Sequence, residues 1–447
     1  MKLSIKYFLP TIFLLIGIGL YTRTKPPYSV QHNDIQTFVV VGSSASGQSV
    51  INELSSLIKK GTVSSKSRII WISADKNAPY KRTNLADYIV DQKNLSRNKN
   101  QQSFISYHFN TRITSINKNS KNIELDNGQT VAYDKLFLGL GTTPLTLNIP
   151  GINTKGVSQY FTLEDVATIK ERLHLGRPIR AVVLGSGLCS IECADALNKC
   201  GASVTVVTKS NNLLNRKISP QDATYIENAM IKSGVRYHRN ATITQVIEKN
   251  NNITGVLLSD KTELPADLLV YAIGAKFNSS IAKNAGLTLL NEGILVNDYL
   301  CTSDPHIYAA GDCVVLKDRI TGSLVHSEKW NDAKDQGVIA ARAMAGLLVN
   351  PYEGTVICSL TKAFGIRFVF SVPLNNPESY DVVIREEKDG SYYKLFFQDK
   401  KLKGFFCFNI PVTKILTLRK ALIDQKELTP DSLIDSSFLN DTFTIIT

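Results

Sequence analysis

The sequence predicts an α/β protein with two parallel-sheet domains, one inserted into the other, and a small α+β domain near its C-terminal end. Two glycine-containing loops, at residues 42–47 and 185–190, each join an apolar strand-like segment to a helix-like segment. Residues 392–397 and 402–408 alternate in polarity as the strands of a hairpin do. A chain of 447 residues is also too long for a single compact core.

The first loop has the context that a dinucleotide-binding fingerprint requires. It follows a predicted buried strand at Thr37–Val41 and precedes apolar residues at helical spacing between residues 50 and 58. Gly42 would allow the tight turn, and Gly47 would let the helix pack closely on the strand.

The start of this helix, around Ser44 and Ala45, would hold a pyrophosphate through free backbone N–H groups. Ser44 stands where the usual pattern has its middle glycine, so a strand-turn-helix unit without a ligand is the alternative. A second strand is predicted at residues 68–72. Asp75 lies just beyond it, where an acid can accept hydrogen bonds from a ribose.

The second loop repeats this arrangement between predicted strands at residues 181–184 and Ser203–Val207. Gly185 and Gly187 are both present, and Ser190 takes the place of the third glycine. The following helix must therefore stand slightly off the strand, or tuck the Ser190 hydroxyl into the gap.

The residues after this second strand bear on the choice of nucleotide. Thr208 and Lys209 lie where an acid would bind an unphosphorylated ribose. A 2′-phosphate could therefore be accepted and paired with Lys209 or Arg216, which favours NADPH over NADH. The alternative is that both cations are solvated surface charges.

Further segments indicate a family. They are Pro79-Tyr80-Lys81-Arg82, Tyr133-Asp134-Lys135-Leu136, Gly139-Leu140-Gly141, a predicted strand at residues 268–274, residues 293–296 and Gly311-Asp312. In this order, over about residues 36–410, they resemble the FAD-dependent pyridine nucleotide-disulfide oxidoreductase superfamily. The resemblance implies two nested Rossmann-like domains, binding FAD at the first loop and NAD(P)H at the second, plus the small α+β domain.

The resemblance also implies roles for single residues. Gly311-Asp312 matches a pair near the FAD ribityl and pyrophosphate groups. Arg82 matches an arginine near the flavin, and Glu192 matches an acid beside the nicotinamide. The predicted FAD contacts are Gly42, Ser44, Ala45, Gly47, Asp75, Arg82, Gly141, Gly311, Asp312 and Trp330. The predicted NAD(P)H contacts are Gly185, Gly187, Ser190, Glu192, Thr208, Lys209 and Gly274. No catalytic side chain is expected, because the cofactors carry the chemistry. No metal site is expected, because the six histidines show no metal-ligand spacing.

The positions of the cysteines indicate the branch of the superfamily. No cysteine occurs from Tyr80 to Tyr107, where the disulfide reductases carry their redox-active residues. Residues 328–341 resemble rubredoxin and ferredoxin reductases, and the C-terminal region resembles the small domain of NADH:rubredoxin reductases. The resemblance therefore implies hydride transfer from NAD(P)H to FAD, followed by electron transfer to a small rubredoxin- or ferredoxin-like protein.

Two other functions stay open. Both loops have lost a glycine to serine, so the chain could bind FAD or partners without turnover. A membrane-associated quinone or sulfide oxidoreductase is the other alternative. Sulfide chemistry needs cysteines beside the flavin, however, and Cys358 lacks an evident mate in the sequence.

The net charge of +12, from 51 basic and 39 acidic residues, has two interpretations, and the less favoured is attraction to an acidic electron-carrier protein or to an anionic membrane. Compositional bias is the alternative. The basic residues are scattered and no nucleic-acid-binding signature accompanies them, so no nucleic-acid partner is expected.

The N-terminal segment predicts membrane targeting. Lys2 and Lys6 precede an apolar run at residues 7–20 that suits a signal peptide or a short anchor. The protein is thus expected to be membrane-anchored or exported, or cytoplasmic if the segment is not a signal. The predicted ranges are a targeting segment and linker (1–30), the FAD-binding domain in two parts (31–153 and 280–348), the NAD(P)-binding domain (154–279), the C-terminal domain (349–430) and a tail (431–447).

Overall fold

The computed structural model describes residues 35–77, 79–91, 102–372 and 379–429. The chain forms two compact units and alternates between them. Of the described residues, the first unit comprises 35–77, 79–81, 102–143 and 277–355, and the second comprises 82–91, 144–276, 356–372 and 379–429. The units are therefore nested in the sequence, as the fold class predicts. The six domain ranges predicted from the sequence stay a prediction.

Helices and strands occur throughout the described ranges. Up to residue 160 they are β1 (Thr37–Val41), α1 (Ala45–Lys59), β2 (Arg68–Ser73), a 3₁₀ turn (Arg82–Asn84), α2 (Leu85–Val90), β3 (Ile105–Phe109), β4 (Ile113–Asn117), β5 (Asn122–Leu125), β6 (Thr130–Ala132), β7 (Lys135–Leu138), β8 (Thr142–Pro144) and β9 (Val157–Gln159). The next are α3 (Leu163–Leu173), β10 (Arg180–Leu184), α4 (Leu188–Lys199), β11 (Ser203–Val207), α5 (Pro220–Lys232), β12 (Arg236–His238), β13 (Ile243–Lys249), β14 (Asn252–Leu258), β15 (Glu263–Pro265), β16 (Leu268–Tyr271), β17 (Ala275–Phe277), α6 (Ser280–Asn284) and β18 (Leu289–Leu290). The last are β19 (Gly293–Leu295), β20 (Ile307–Ala309), β21 (Val314–Lys317), β22 (Leu324–His326), α7 (Trp330–Met344), β23 (Ser359–Ala363), β24 (Ile366–Ser371), β25 (Asp381–Glu386), β26 (Tyr392–Gln398), β27 (Lys401–Phe408) and α8 (Val412–Asp424).

The first unit is built on a five-stranded parallel sheet of order β20-β7-β1-β2-β3. Strands β7 and β20 are buried along their whole length, as is β1 after its first residue, because a parallel sheet in an α/β protein is covered on both faces. Helices α1 and α7 pack against each other. Two further sheets complete this unit, β4-β5-β6 and β18-β19-β21-β22.

The second unit repeats this plan. Its five-stranded parallel sheet has the order β12-β11-β10-β16-β9, and an antiparallel sheet β13-β14-β15 accompanies it. Each unit therefore contains the strand-loop-helix-strand arrangement that the two glycine loops predict. The predicted α/β fold class is confirmed.

The C-terminal part of the second unit is the predicted α+β domain. Its five antiparallel strands have the order β23-β24-β27-β26-β25, and α8 packs on β27. The predicted hairpin is present, with Asp399 and Lys400 both at positive φ in its turn. Strands β23, β24 and β25 were not predicted; β23 and β24 form a second hairpin across Phe364 and Gly365, and β25 pairs with β26.

One predicted boundary was wrong. The strand predicted at residues 268–274 ends at Tyr271, because Gly274 has a φ of +115° that a strand does not accommodate. Helix α1 begins at Ala45, and Gly47 lies in its first turn.

No helix within the described ranges is long and apolar enough to cross a membrane. The predicted targeting segment at residues 1–30 and the predicted tail at residues 431–447 lie outside those ranges.

Candidate functional site

The candidate residues of the first unit follow neighbouring strands of its parallel sheet. Gly42 follows β1 and Asp75 follows β2, while Gly141 follows β7 and Gly311 follows β20. Carboxyl ends of parallel strands meet at one edge of a sheet, so these residues share that edge. Open α/β sheets bind their ligands there.

Two backbone contacts in the first loop require glycine. A Cβ on Gly47 would stand 2.0 Å from the Gly42 carbonyl oxygen, and a Cβ on Gly42 would stand 2.2 Å from the Gly139 oxygen. Ser44 precedes α1 in an extended conformation, and Ala45 is the first helical residue. The N–H groups of the first turn therefore lie at the sheet edge, where a pyrophosphate fits.

The turn at residues 311–312 is held by a buried glutamine whose role the sequence did not reveal. The Gly311 N–H donates to Gln336 Oε1 at 2.9 Å, and Gln336 is fully buried in α7. Beside it, a Cβ on Gly337 would stand 2.5 Å from the Ser46 carbonyl oxygen. The Ser46 hydroxyl donates to the Ala310 oxygen at 3.3 Å. Helix α1, helix α7 and the end of β20 thus meet at the predicted FAD residues.

The remaining predicted FAD contacts have these surroundings. Asp75 is partly buried, and its Oδ1 accepts from the Asn77 N–H at 2.9 Å. Gly141 has a φ of +59°. Trp330 begins α7 and is partly exposed. Arg82 belongs to the second unit, where its guanidinium lies 4.7 Å from the centre of the Phe161 ring. Their flavin contacts stay predictions.

The candidate residues of the second unit share a strand edge in the same way. Gly185 follows β10, Thr208 and Lys209 follow β11, and Gly274 lies three residues beyond β16. The three strands are neighbours in the order β11-β10-β16. The second loop thus repeats the geometry of the first.

The Ser190 hydroxyl fills the gap between α4 and the sheet. It is fully buried and donates to the Ala272 oxygen at 3.2 Å, so the second of the two predicted alternatives is confirmed. Gly185 has a φ of +141°, and a Cβ there would stand 2.3 Å from the Ser190 oxygen. The fold requires Gly185.

Gly187 differs, because nothing within the described structure requires a glycine there. Its φ is −85°. A Cβ atom on Gly187 would have no heavy atom within 4 Å, apart from those of its chain neighbours and of the helix backbone. Open space at a helix start is what a close-approaching pyrophosphate needs. The residues present in both loops therefore fit a dinucleotide.

Residues 36–337 match the family model of the pyridine nucleotide-disulphide oxidoreductases. The chain belongs to this family. The predicted superfamily is thereby confirmed, and so are the enzyme class and the cofactors, since members are FAD-dependent NAD(P)H oxidoreductases.

Three similar proteins illustrate the relationship. An NAD(P)H nitrite reductase from Bacillus subtilis (strain 168) is 26% identical over 377 residues, which are 83% of this chain and 45% of that protein. The chain thus spans about half the length of that relative. A rubredoxin-NAD(+) reductase from Ectopseudomonas oleovorans is 29% identical over 317 residues, covering 69% of this chain and 80% of the relative. The crystal structure of a ferredoxin reductase from Rhodopseudomonas palustris matches with a TM-score of 0.79 and 27% identity, covering 91% of this chain and 99% of that one.

In this oxidoreductase, Glu192 lies on α4 and is largely buried. The pKa of its carboxyl group is raised to about 7, mainly by burial and in smaller part by the charges of Asp87 and Asp195, while a hydrogen bond from the Thr361 hydroxyl opposes the rise. That bond is long, at 3.5 Å. Glu192 therefore changes its charge near neutral pH, on the helix that follows the second nucleotide loop.

Thr208 and Lys209 of the oxidoreductase have different surroundings. Thr208 is fully buried, and its hydroxyl donates to the Ser210 oxygen at 2.8 Å and lies 3.2 Å from the Tyr237 hydroxyl. That hydroxyl therefore stabilises the loop. Lys209 and Arg216 are exposed and are the residues available to a 2′-phosphate.

The cysteines of the oxidoreductase do not form disulfides. Cys193 is buried, whereas Cys189 is exposed. Within the described ranges, no group of three or more His, Cys, Asp or Glu side chains could hold a metal ion.

We expect Gly187→Ala to weaken NADP⁺ binding about tenfold or more without destabilising the protein, since the methyl group would occupy space that the fold leaves to a ligand. Calorimetric titration with NADP⁺ and thermal unfolding measure the two effects. Gly185→Ala is the control and should lower the unfolding temperature, because its Cβ has no room. Wild-type affinity in Gly187→Ala would contradict the assignment.

We expect Glu192→Gln to gain stability relative to the wild type as pH rises. Because the pKa of Glu192 is raised in the folded protein, ionising this group lowers the free energy of unfolding of the wild type. The loss is absent below about pH 4.5, grows up to about pH 7 and is constant above. Urea unfolding should therefore favour the variant more at pH 8 than at pH 5, by on the order of 2 kcal/mol. Substitution of the exposed Glu171 by Gln is the control. An effect independent of pH would contradict the prediction.

Proposed function

We propose that this chain oxidises NAD(P)H at the second loop with FAD bound at the first, and passes the electrons to a small redox protein. The observation that supports this most directly is the repeated strand-edge geometry, which provides two dinucleotide sites in one chain. A dehydrogenase that used a nicotinamide cofactor alone would need only one.

The protein's part in this reaction is binding and orientation. Bound FAD supplies a hydride acceptor that can release electrons one at a time. The starts of α1 and α4 would hold the two pyrophosphates, and Asp75 would accept hydrogen bonds from a ribose. Glu192 would lie beside the nicotinamide and set the local charge according to pH.

An external acceptor protein is supported by the cysteines and by the relatives. Residues 80–107 contain no cysteine that could form a thiol relay. The Ectopseudomonas oleovorans relative is a rubredoxin reductase, and the Rhodopseudomonas palustris structure is a ferredoxin reductase. We therefore propose a rubredoxin- or ferredoxin-like acceptor. The net charge of +12 supports an acidic one, because opposite charge accelerates association.

The rival functions have less support. A redox-inactive module was suggested by the serines in the loops, but the buried Ser190 hydroxyl has a hydrogen-bond partner and Ser44 adopts an ordinary extended backbone. A quinone acceptor would agree with membrane association through the apolar run at residues 7–20. Membrane anchoring or export through this segment is itself a proposal.

The proposed activity is tested by anaerobic titration of the FAD-loaded protein with NADPH and NADH. We expect the visible flavin absorbance to bleach with one equivalent of nucleotide, because hydride transfer reduces the flavin. A yellow protein that neither nucleotide reduces would support the redox-inactive module instead. A protein that takes up no FAD would reject both.

The acceptor is tested with the same reduced protein. Rubredoxin or ferredoxin should be reduced rapidly, and raising the ionic strength should slow the reaction several-fold, since salt screens the steering charges. Faster reduction of a soluble quinone than of either protein would reject the proposed acceptor.

We propose a preference for NADPH, supported by the exposed cations and the missing acid after β11. Lys209→Glu should raise the KM for NADPH about tenfold and leave that for NADH nearly unchanged, because only NADPH carries the 2′-phosphate. Steady-state kinetics with both nucleotides measure this. Lys232→Glu, which changes an exposed lysine at the end of α5, is the charge-matched control. Equal effects on both nucleotides would contradict the role of Lys209.

A further inference from the structure

Gly42 is hydrogen-bonded to β2 through both its N–H group and its carbonyl oxygen. The Gly42 N–H donates to the Ile72 oxygen at 2.8 Å, and the Trp71 indole N–H donates to the Gly42 oxygen at 2.9 Å. Trp71 is buried, with 6% of its surface exposed. The first nucleotide loop is therefore fixed by the neighbouring strand and not only by its own glycines.

Holding the Gly42 oxygen also orients the next amide. A trans peptide is planar, so its N–H points opposite to its carbonyl. The Gly42 oxygen lies between the Trp71 indole and the Cα of Gly47, with no room for a Cβ on the latter. The Ser43 N–H is consequently held on the opposite side. Reversing this peptide would leave a buried indole N–H without its acceptor, which is unfavourable.

A buried serine connects the same loop to the predicted ribose acid. The Ser73 hydroxyl lies 2.7 Å from the Ser43 hydroxyl and accepts from the Asp75 N–H at 3.1 Å. Ser73 ends β2 and is buried. The Asp75 carboxylate is in turn oriented by the Asn77 N–H at 2.9 Å. One hydroxyl thus joins two parts of the predicted FAD site that lie far apart in the sequence.

We propose that Trp71 and Ser73 are positioning residues of the FAD site. Trp71 orients the Gly42–Ser43 peptide, and Ser73 fixes Asp75 relative to the loop. Neither side chain needs to touch the cofactor. Their hydrogen bonds hold the first loop in place, although Ser44 stands there in the position of the usual middle glycine. This inference rests on the proposed function, because that function assigns FAD to the first loop.

The test compares FAD affinity among variants of the full chain. Ser73→Ala and Trp71→Phe should each raise the FAD dissociation constant about tenfold, because each removes a side chain whose hydrogen bonds position the first loop. Ser73→Thr keeps the hydroxyl and should stay within about threefold of the wild type. Tyr107→Phe is the matched control for packing, since it keeps the ring that lies 5.9 Å from Trp71, and it should bind FAD as the wild type does. NADP⁺ affinity at the second loop should not change in any of them.

A double-mutant cycle separates positioning from general stability. If Ser73 acts through Asp75, Ser73→Ala should cost less FAD affinity in an Asp75→Asn background than alone. Additive losses would overturn the proposal, and so would wild-type FAD affinity in Ser73→Ala, or equal losses of FAD and NADP⁺ affinity. If Trp71→Phe fails to fold, the Ser73 series decides. A wild-type protein that binds no FAD would reject the proposed function itself.

Discussion

The carbonyl oxygen of Gly42 lies against the Cα of Gly47, where no side chain could fit. This contact places the first turn of α1 directly over the end of β1, so its unpaired N–H groups lie at the sheet edge. Gly337 then allows α7 to approach the same turn, and Gln336 beside it holds the Gly311 N–H. The arrangement of the predicted FAD site therefore depends on one close backbone approach.

The second unit meets the same requirement with different chemistry. The Ser190 hydroxyl occupies the space between helix and strand and bonds to the Ala272 oxygen, so α4 stays close without its third glycine. Farther along α4, Asp195 accepts from the Phe364 N–H at 2.8 Å. Helix α4 thus supports the nucleotide loop at its start and the C-terminal sheet further along. Because Glu192 lies on the same helix, α4 connects the small domain to this predicted nicotinamide residue.

Buried polar groups specify how the C-terminal sheet packs within its unit. Lys394 lies 3.0 Å from the Asp222 carboxylate, and the Tyr392 hydroxyl lies 3.1 Å from the same group. Buried charges are costly unless they are paired and hydrogen-bonded, so an alternative orientation of the sheet would leave Asp222 without its cationic partner Lys394. The neutral-pH titration of Glu192 has the same origin, since it too is a carboxyl group removed from water.

The sequence by itself determined the strands, loops and helices whose signals are local. Apolar runs gave β1 and β11 with their observed bounds, and glycine spacing located both nucleotide loops. Only the tertiary structure showed Trp71, Ser73 and Gln336 beside the predicted FAD residues, and only it showed that the Thr208 hydroxyl is used inside the protein. The physical reason is that these roles arise from hydrogen bonds between residues distant in the chain, whereas periodicity and turn chemistry report only on near neighbours.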